Sequence, residues 1–145
     1  MLDRRLHLVA LLGVALATLL GCQPHPEGIA GPETPWAEMD HAERQAYMAS
    51  AVLPHMQASF AGFDAERFAE FECATCHVTG AARGDFAMPD PGLPNLAHFR
   101  REHMKKHPET VRFMWERVEP EMHALLGGKA YARKFNCRAC HPVER

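Results

Sequence analysis

The chain has 145 residues, with 16 Lys and Arg against 18 Asp and Glu, a formal charge of −2 and 10 His. That length fits one domain, and the absence of any excess positive charge removes the electrostatic footprint of a nucleic-acid binder. The 5 cysteines divide into two Cys-x-x-Cys pairs and a single residue near the start.

The first residues read as a targeting segment. Arg4 and Arg5 precede an apolar run, Leu8 to Leu20, that ends in Leu19-Leu20-Gly21-Cys22. A basic start, a short apolar core and a small residue before the cut describe a secretory signal. The run is also shorter than the ~20 residues of a transmembrane helix. Leu-Leu-Gly-Cys resembles the processing box of bacterial lipoproteins, which implies a signal peptide over 1–21 and a lipidated Cys22. The plainer reading is an ordinary signal with an incidental cysteine. Gln23, where an Asp would retain the protein at the inner membrane, implies on the same resemblance the outer membrane of a cell that has two. Lipidation of Cys22 leaves the other cysteines paired, with no odd thiol in an oxidising compartment. Residues 22–39, rich in Pro, Gly and Glu, read as a flexible tether.

A first module is expected over 40–77. Asp40 and Glu43 form a capping box, and Tyr47, Met48, Ala51, Val52, Met56 and Phe60 recur at helical spacing. Pro54 inside this stretch predicts a kink, and Gly62 a stop. Phe63-Asp64 predicts a second, shorter helix, with Asp64 as N-cap and Phe63 against Phe68, leading into Cys73-Ala74-Thr75-Cys76-His77. The connector, 78–106, carries Gly80, Gly84, Pro89, Pro91, Gly92 and Pro94, which rule out long regular structure up to Pro94. Its Phe86, Met88, Leu93 and Leu96 predict a strap packed across the first site. Arg100, Arg101, Lys105 and Lys106, with His98 and His103, form its basic cluster. That cluster is either a solvated face or a contact for propionates or an acidic redox partner. A second module over 107–145 starts at Pro108, carries Val111, Met114, Trp115, Val118, Met122 and Leu125, and breaks at Gly127-Gly128. It then reaches Cys137-Arg138-Ala139-Cys140-His141.

The two halves repeat one another. At a shift of 66, His41, Tyr47-Met48 and Val52-Leu53-Pro54-His55-Met56 fall on His107, Phe113-Met114 and Val118-Glu119-Pro120-Glu121-Met122; at a shift of 64, Cys73 to His77 fall on Cys137 to His141. A period of this size means duplicated modules. Cys-x-x-Cys-His is the pattern that attaches haem covalently: two thiols one helical turn apart reach the two vinyl groups, and the next imidazole faces the iron. Cys73, Cys76, Cys137 and Cys140 are therefore the expected attachment residues for two haem c groups, with His77 and His141 as proximal ligands. For the distal ligands the repeat offers Met56 and Met122, which lie 17 and 15 residues before Cys73 and Cys137. The competing reading of these methionines is core filling. The rival ligands are His41 and His107, also equivalent in the repeat. His55 and His123 are unmatched and read as solvated.

A methionine on a helix, a turn, and a second helix with Cys-x-x-Cys-His resembles the haem-binding unit of the multihaem cytochrome subunit of photosynthetic reaction centres. Met122-His123-Ala124-Leu125-Leu126-Gly127 up to His141 carries most of the likeness, and Met56 to His77 a looser copy. The resemblance implies haem c, Met56 and Met122 as distal ligands, and electron donation to a partner. This chain departs from it in having two sites rather than four, and in its Pro-rich connector. The combined expectation is an all-α protein of two helix-turn-helix haem-binding modules, exported, anchored to the membrane by lipid and facing the periplasm. It would pass single electrons between redox proteins and catalyse no reaction on a substrate. Two alternatives compete: a structural zinc site of all four paired cysteines, and a sensor or peroxidase-like protein with an open iron site. Redox disulfides come last.

Overall fold

The computed structural model describes residues 28–97, 99, 102–127 and 135–144. The signal segment, Cys22, His98, Arg100, Arg101 and Gly128 lie outside the described residues. Among the described residues the structure is helical, with no strand, as the all-α expectation requires.

Helix α1 (His41–Tyr47) starts where its capping box places it. The Asp40 carboxylate accepts from Glu43 N–H at 2.9 Å, and Glu43 accepts from Asp40 N–H at 2.8 Å, so two of the orphan donors of a helix start are satisfied reciprocally. A π-helical segment (Met48–Val52) continues it without interruption and leads into α2 (Leu53–Phe63). The same succession recurs 66 residues later: α3 and α4, the single turns Cys73–Cys76 and His103–Lys106, are succeeded by α5 (Pro108–Phe113), a second π segment (Met114–Val118) and α6 (Glu119–Leu125). Short 3-10 turns cover Ala81–Arg83 and Cys137–Ala139.

Proline explains both π segments. Pro54 and Pro120 have no N–H to donate four residues back, and each ring crowds the carbonyl there. The chain widens the preceding turn instead: Leu53 N–H donates to Met48 O, and Glu119 N–H to Met114 O, each five residues back. A kink was the sequence expectation; a widened turn relieves the same clash.

The helix ending at Phe63 and the helix ending at Leu125 run antiparallel. The Tyr47 hydroxyl donates to Leu125 O at 2.7 Å, while Phe63 stacks on Phe113 with ring centroids 4.2 Å apart. Between them lies a core of Val52, Met56, Phe60, Phe71, Phe113 and Leu125, drawn from both halves. Phe60 stands 4.8 Å from Phe68, 4.7 Å from Phe71 and 5.0 Å from Phe113. One buried carboxylate also crosses this interface. Glu121, its side chain 3% exposed, meets Arg117 Nη2 at 2.7 Å and accepts from the Ser59 hydroxyl. His55 Nε2 lies 3.3 Å from the same carboxylate, so His55 is partly buried rather than solvated.

Two segments differ from the sequence expectation. Residues 65–70 form turns, not the predicted short helix. Asp64 caps a turn there by accepting from Arg67 N–H at 3.0 Å, and Phe68 and Phe71 are drawn onto Phe60, which holds the chain in that shape. Residues 28–39, expected as part of the tether, lie against the helices. Met39 is buried, Ile29 packs on the core, Trp36 meets Tyr47 edge-on and Arg44 Nε donates to Trp36 O at 3.1 Å. Three apolar side chains in a Pro-rich stretch suffice for this docking.

The aromatic hub should dominate stability. Phe60→Ala is expected to cost about 3–5 kcal/mol, and Tyr47→Phe, which deletes one interhelical hydrogen bond, about 0.5–1.5 kcal/mol. Urea denaturation read by circular dichroism measures both, and equal losses would contradict the hub.

Candidate functional site

The second Cys-x-x-Cys-His stretch borders a groove of about 390 Å³, within the range of cofactor and small-molecule sites. Cys137, Cys140 and His141 line it together with Val111, Met114, Val118 and Met122 from the facing helices, and Leu96 and Phe99 from the connector. Trp115, 61% exposed, also contributes to its lining. The lining is therefore apolar, apart from a few convergent donors. The Cys137 thiol donates to Glu119 Oε2 at 3.1 Å. His141 Nδ1 stands 3.1 Å from Pro94 O. A carbonyl oxygen can only accept, so Nδ1 carries the hydrogen and Nε2 keeps its lone pair. Burial pushes the His141 pKa down, an effect the Pro94 hydrogen bond opposes and nearby His103 reinforces. The imidazole is thus neutral at pH 7.

The first stretch is built differently. Glu72 and Thr75 cap its turn reciprocally, with Glu72 N–H donating to Thr75 Oγ1 at 3.0 Å. Gln57 Nε2 donates to Phe71 O at 2.9 Å and ties the approach to α2. Cys73 is exposed, whereas Cys76 packs against the core. Burial, then the charges of Cys140 and Cys73, push the Cys76 thiol up to about 12. Asp90, which accepts from Thr79 N–H and gives its own N–H to Cys140 O, brings the two motifs near each other. His77 has Phe86 edge-on at 5.2 Å, and its Nδ1 is buried without a hydrogen-bond partner. Burial lowers its pKa, against the Asp90 charge, which raises it.

The connector clamps both stretches, where the sequence predicted a strap across the first alone. Asp90, 2% exposed, accepts from Thr79 N–H at 3.0 Å, from the Thr79 hydroxyl at 3.1 Å and from Gly92 N–H at 2.7 Å. Its own N–H donates to Cys140 O at 3.1 Å, and Leu96 N–H to Pro142 O at 2.9 Å. Burial acts to raise the Asp90 carboxyl, but these hydrogen bonds and His77 outweigh it and hold it below its ordinary value. The close approach leaves room for no side chain at two glycines: a Cβ on Gly80 would meet Asp85 O at 1.8 Å, and one on Gly92 would meet Val78 at 2.7 Å.

Of the distal candidates, Met122 lines the groove, and so does His107. Met56 is 3% exposed inside the core, in the cluster that Cys76 packs against. His41 is exposed at the start of α1, and His123 is partly buried. Among the described residues no three His, Cys, Asp or Glu side chains gather as a metal site. Nor is any described helix long and apolar enough to cross a membrane. Sequence reasoning missed Asp90 and Glu119. The run Pro89-Asp90-Pro91-Gly92 carried the signal for Asp90, because Asp before Pro-Gly commonly accepts from the backbone two residues on.

No protein-family model, curated protein or solved structure matches this chain. The site must be read from its own residues.

Burial of the thiols and imidazoles makes the stability of the fold depend on pH. Cys76, Cys137 and Cys140 are raised from 9.0 to about 12, 11 and 11, chiefly by burial. Their contribution is whole below pH 9.0 and is lost as pH rises through the folded values. His77 and His141 are lowered from 6.5, so theirs is whole above pH 6.5 and is lost as pH falls through the folded values. Thermal melts of the unloaded chain in reductant should show a plateau between these limits and a decline on either side. A melting temperature still rising above pH 9.0 would contradict the raised thiol pKa values.

Proposed function

We propose that this protein is an exported, lipid-anchored dihaem c-type cytochrome that carries single electrons between redox proteins. The observation that carries the reading is the groove at the second motif. Two thiols, an imidazole with its Nε2 lone pair free and the Met122 thioether all meet one apolar cavity. That donor set fits a covalently held haem. Bound there, haem supplies reversible one-electron chemistry at a potential set by its axial ligands and surroundings.

In this reading Cys73 and Cys76, and Cys137 and Cys140, hold the two groups through thioether bonds. His77 and His141 are proximal ligands. The Pro94 carbonyl keeps His141 in the tautomer that can ligate iron, as the outer hydrogen-bond partners of ligand histidines do. Met122 is the distal ligand at the second site. Met56 is its counterpart at the first, its thioether held out of water beside Phe60 and Phe71. The matched π segments, each placed before Val-x-Pro-x-Met, support the reading of two equivalent modules. The link that Asp90 makes from Thr79, beside the first motif, to Cys140 of the second supports electron passage between the sites. Cys22 carries the lipid anchor that keeps the protein at the periplasmic face of a membrane, the outer one where there are two, and the partners are redox proteins. One specific observation favours a second ligand set: His107 lines the same groove, which would give the second site two histidines and a lower potential.

Expression with the haem-attachment machinery, then visible spectroscopy and haem counting, tests this directly. Two covalent haems per chain are expected, with the weak far-red band of methionine-ligated ferric iron. Met122→Ala should remove part of that band, and His107→Ala should leave it intact. Cys137→Ser with Cys140→Ser should halve the covalent haem. A colourless chain would sink the cytochrome reading, and loss of ligation in His107→Ala alone would transfer the role to His107.

A further inference from the structure

Among the described residues, Cys137 is the cysteine whose thiol donates to a carboxylate, Glu119 Oε2, at 3.1 Å. Both partners are fixed by their own elements. The Glu119 N–H donates to Met114 O across the second π segment, which sets its side chain at the start of α6. Asn136 accepts from Arg138 N–H at 2.9 Å and caps the turn that carries Cys137. The pair lines both the groove and an adjoining hollow that Trp115, Arg138 and Val143 border. No ion pair engages Glu119 among the described residues. The other charged or titratable groups around it are Arg67, His103, His107, Cys140 and His141 in the groove, and Arg138 in the hollow. The first module has no equivalent base. The shift of 66 sets Leu53 opposite Glu119, and Leu53 packs on the core.

A thioether forms when sulfur adds to a vinyl carbon, and the thiolate is the attacking form. Burial, with the hydrogen bond to Glu119 and its charge, pushes the Cys137 thiol up to about 11, so free thiolate is scarce at neutral pH. A base in contact removes that obstacle, because the proton leaves as the sulfur–carbon bond forms. The distance to Glu119 is within the reach that general-base catalysis requires. We propose that Glu119 is a catalytic residue for haem attachment at the second motif, giving the chain an attachment activity of its own there and not at the first. The inference rests on the dihaem reading. The step balances: the Cys137 S–H bond and the vinyl π bond break, and a C–S bond forms at one vinyl carbon. Glu119 takes the proton from Sγ and passes it to the other vinyl carbon. No electron is gained or lost overall, and no further reagent is consumed.

The test mixes the full chain, reduced and free of haem, with ferrous haem in the absence of oxygen. Mass spectrometry of the haem peptides then follows attachment at each motif. The second motif should gain haem through Cys137, and the first should not. Glu119→Gln should slow the reaction by about a hundredfold, within the usual range of general-base catalysis, and Glu119→Asp should recover part of it. The pH profile separates a base from a structural support. The rate of the unaltered chain should be nearly flat around neutral pH, because the acceptor is already in contact. That of Glu119→Gln should climb about tenfold per pH unit, following the free thiolate. In a Cys137→Ser background, Glu119→Gln should cause no further loss, and Glu116→Gln should leave the rate of the unaltered chain unchanged.

Equal rates for the unaltered chain and Glu119→Gln would overturn the proposal, as would equal attachment at both motifs. A further loss in the Cys137→Ser background would also overturn it, by assigning Glu119 a structural role. Expression with the attachment machinery keeps the two readings apart. Two haems per chain there, with none at the second motif in the unassisted reaction, would sink this inference alone. A chain left without covalent haem even there would sink the cytochrome reading itself.

Discussion

Phe60 meets Phe68, Phe71 and Phe113 at centroid distances of 4.7–5.0 Å, and that single ring joins three parts of the chain. It belongs to α2, it gathers the turn that leads into the first Cys-x-x-Cys-His, and it abuts α5 of the other half. A core this small is thin for its chain length, so its few aromatic contacts carry a large share of the packing. The position of the first motif depends on them, because Phe71 stands two residues before Cys73.

The second constraint is polar. Asp90 collects hydrogen bonds from Thr79 and Gly92 through its side chain and gives one to Cys140 through its backbone. The connector is therefore the piece that fixes one motif against the other. Two chemically alike pentapeptides acquire unlike surroundings by this route: one imidazole meets a carbonyl, and the other has its Nδ1 buried without a hydrogen-bond partner.

Much of this was legible in the chain itself. The Asp40–Glu43 box, the start at Pro108 and the stop at Gly127, whose φ is +105°, are local effects, and each depends on one or two residues. The motif residues and the presence of Met122 at the groove also come from spacing and repetition. Other features depend on partners far along the chain. The stretch after Asp64 has the signature of a helix start, but ring contacts to Phe60 hold it as turns. Ile29 and Met39 look like stray apolar residues in a tether until the helices they cover exist. Glu121 reads as an exposed helix residue, yet Ser59 and His55, more than sixty positions away, enclose it. The unequal surroundings of His77 and His141 come from the connector's path, which no repeat could announce.

The paired π segments carry a consequence for how such a chain can change over time. A π turn behaves as one residue more than an α turn accommodates, and each residue in a helix rotates the remainder of that helix by about 100°. Deleting one residue between Met48 and Val52, or between Met114 and Val118, would close the π turn to an α turn and leave Met56 or Met122 on its present face. It would also return Pro54 or Pro120 to a regular helix interior, at about 3 kcal/mol. Length here is therefore as constrained as residue type. Point substitutions can accumulate along these helices, whereas a one-residue insertion or deletion outside the π turns would re-aim everything downstream at once.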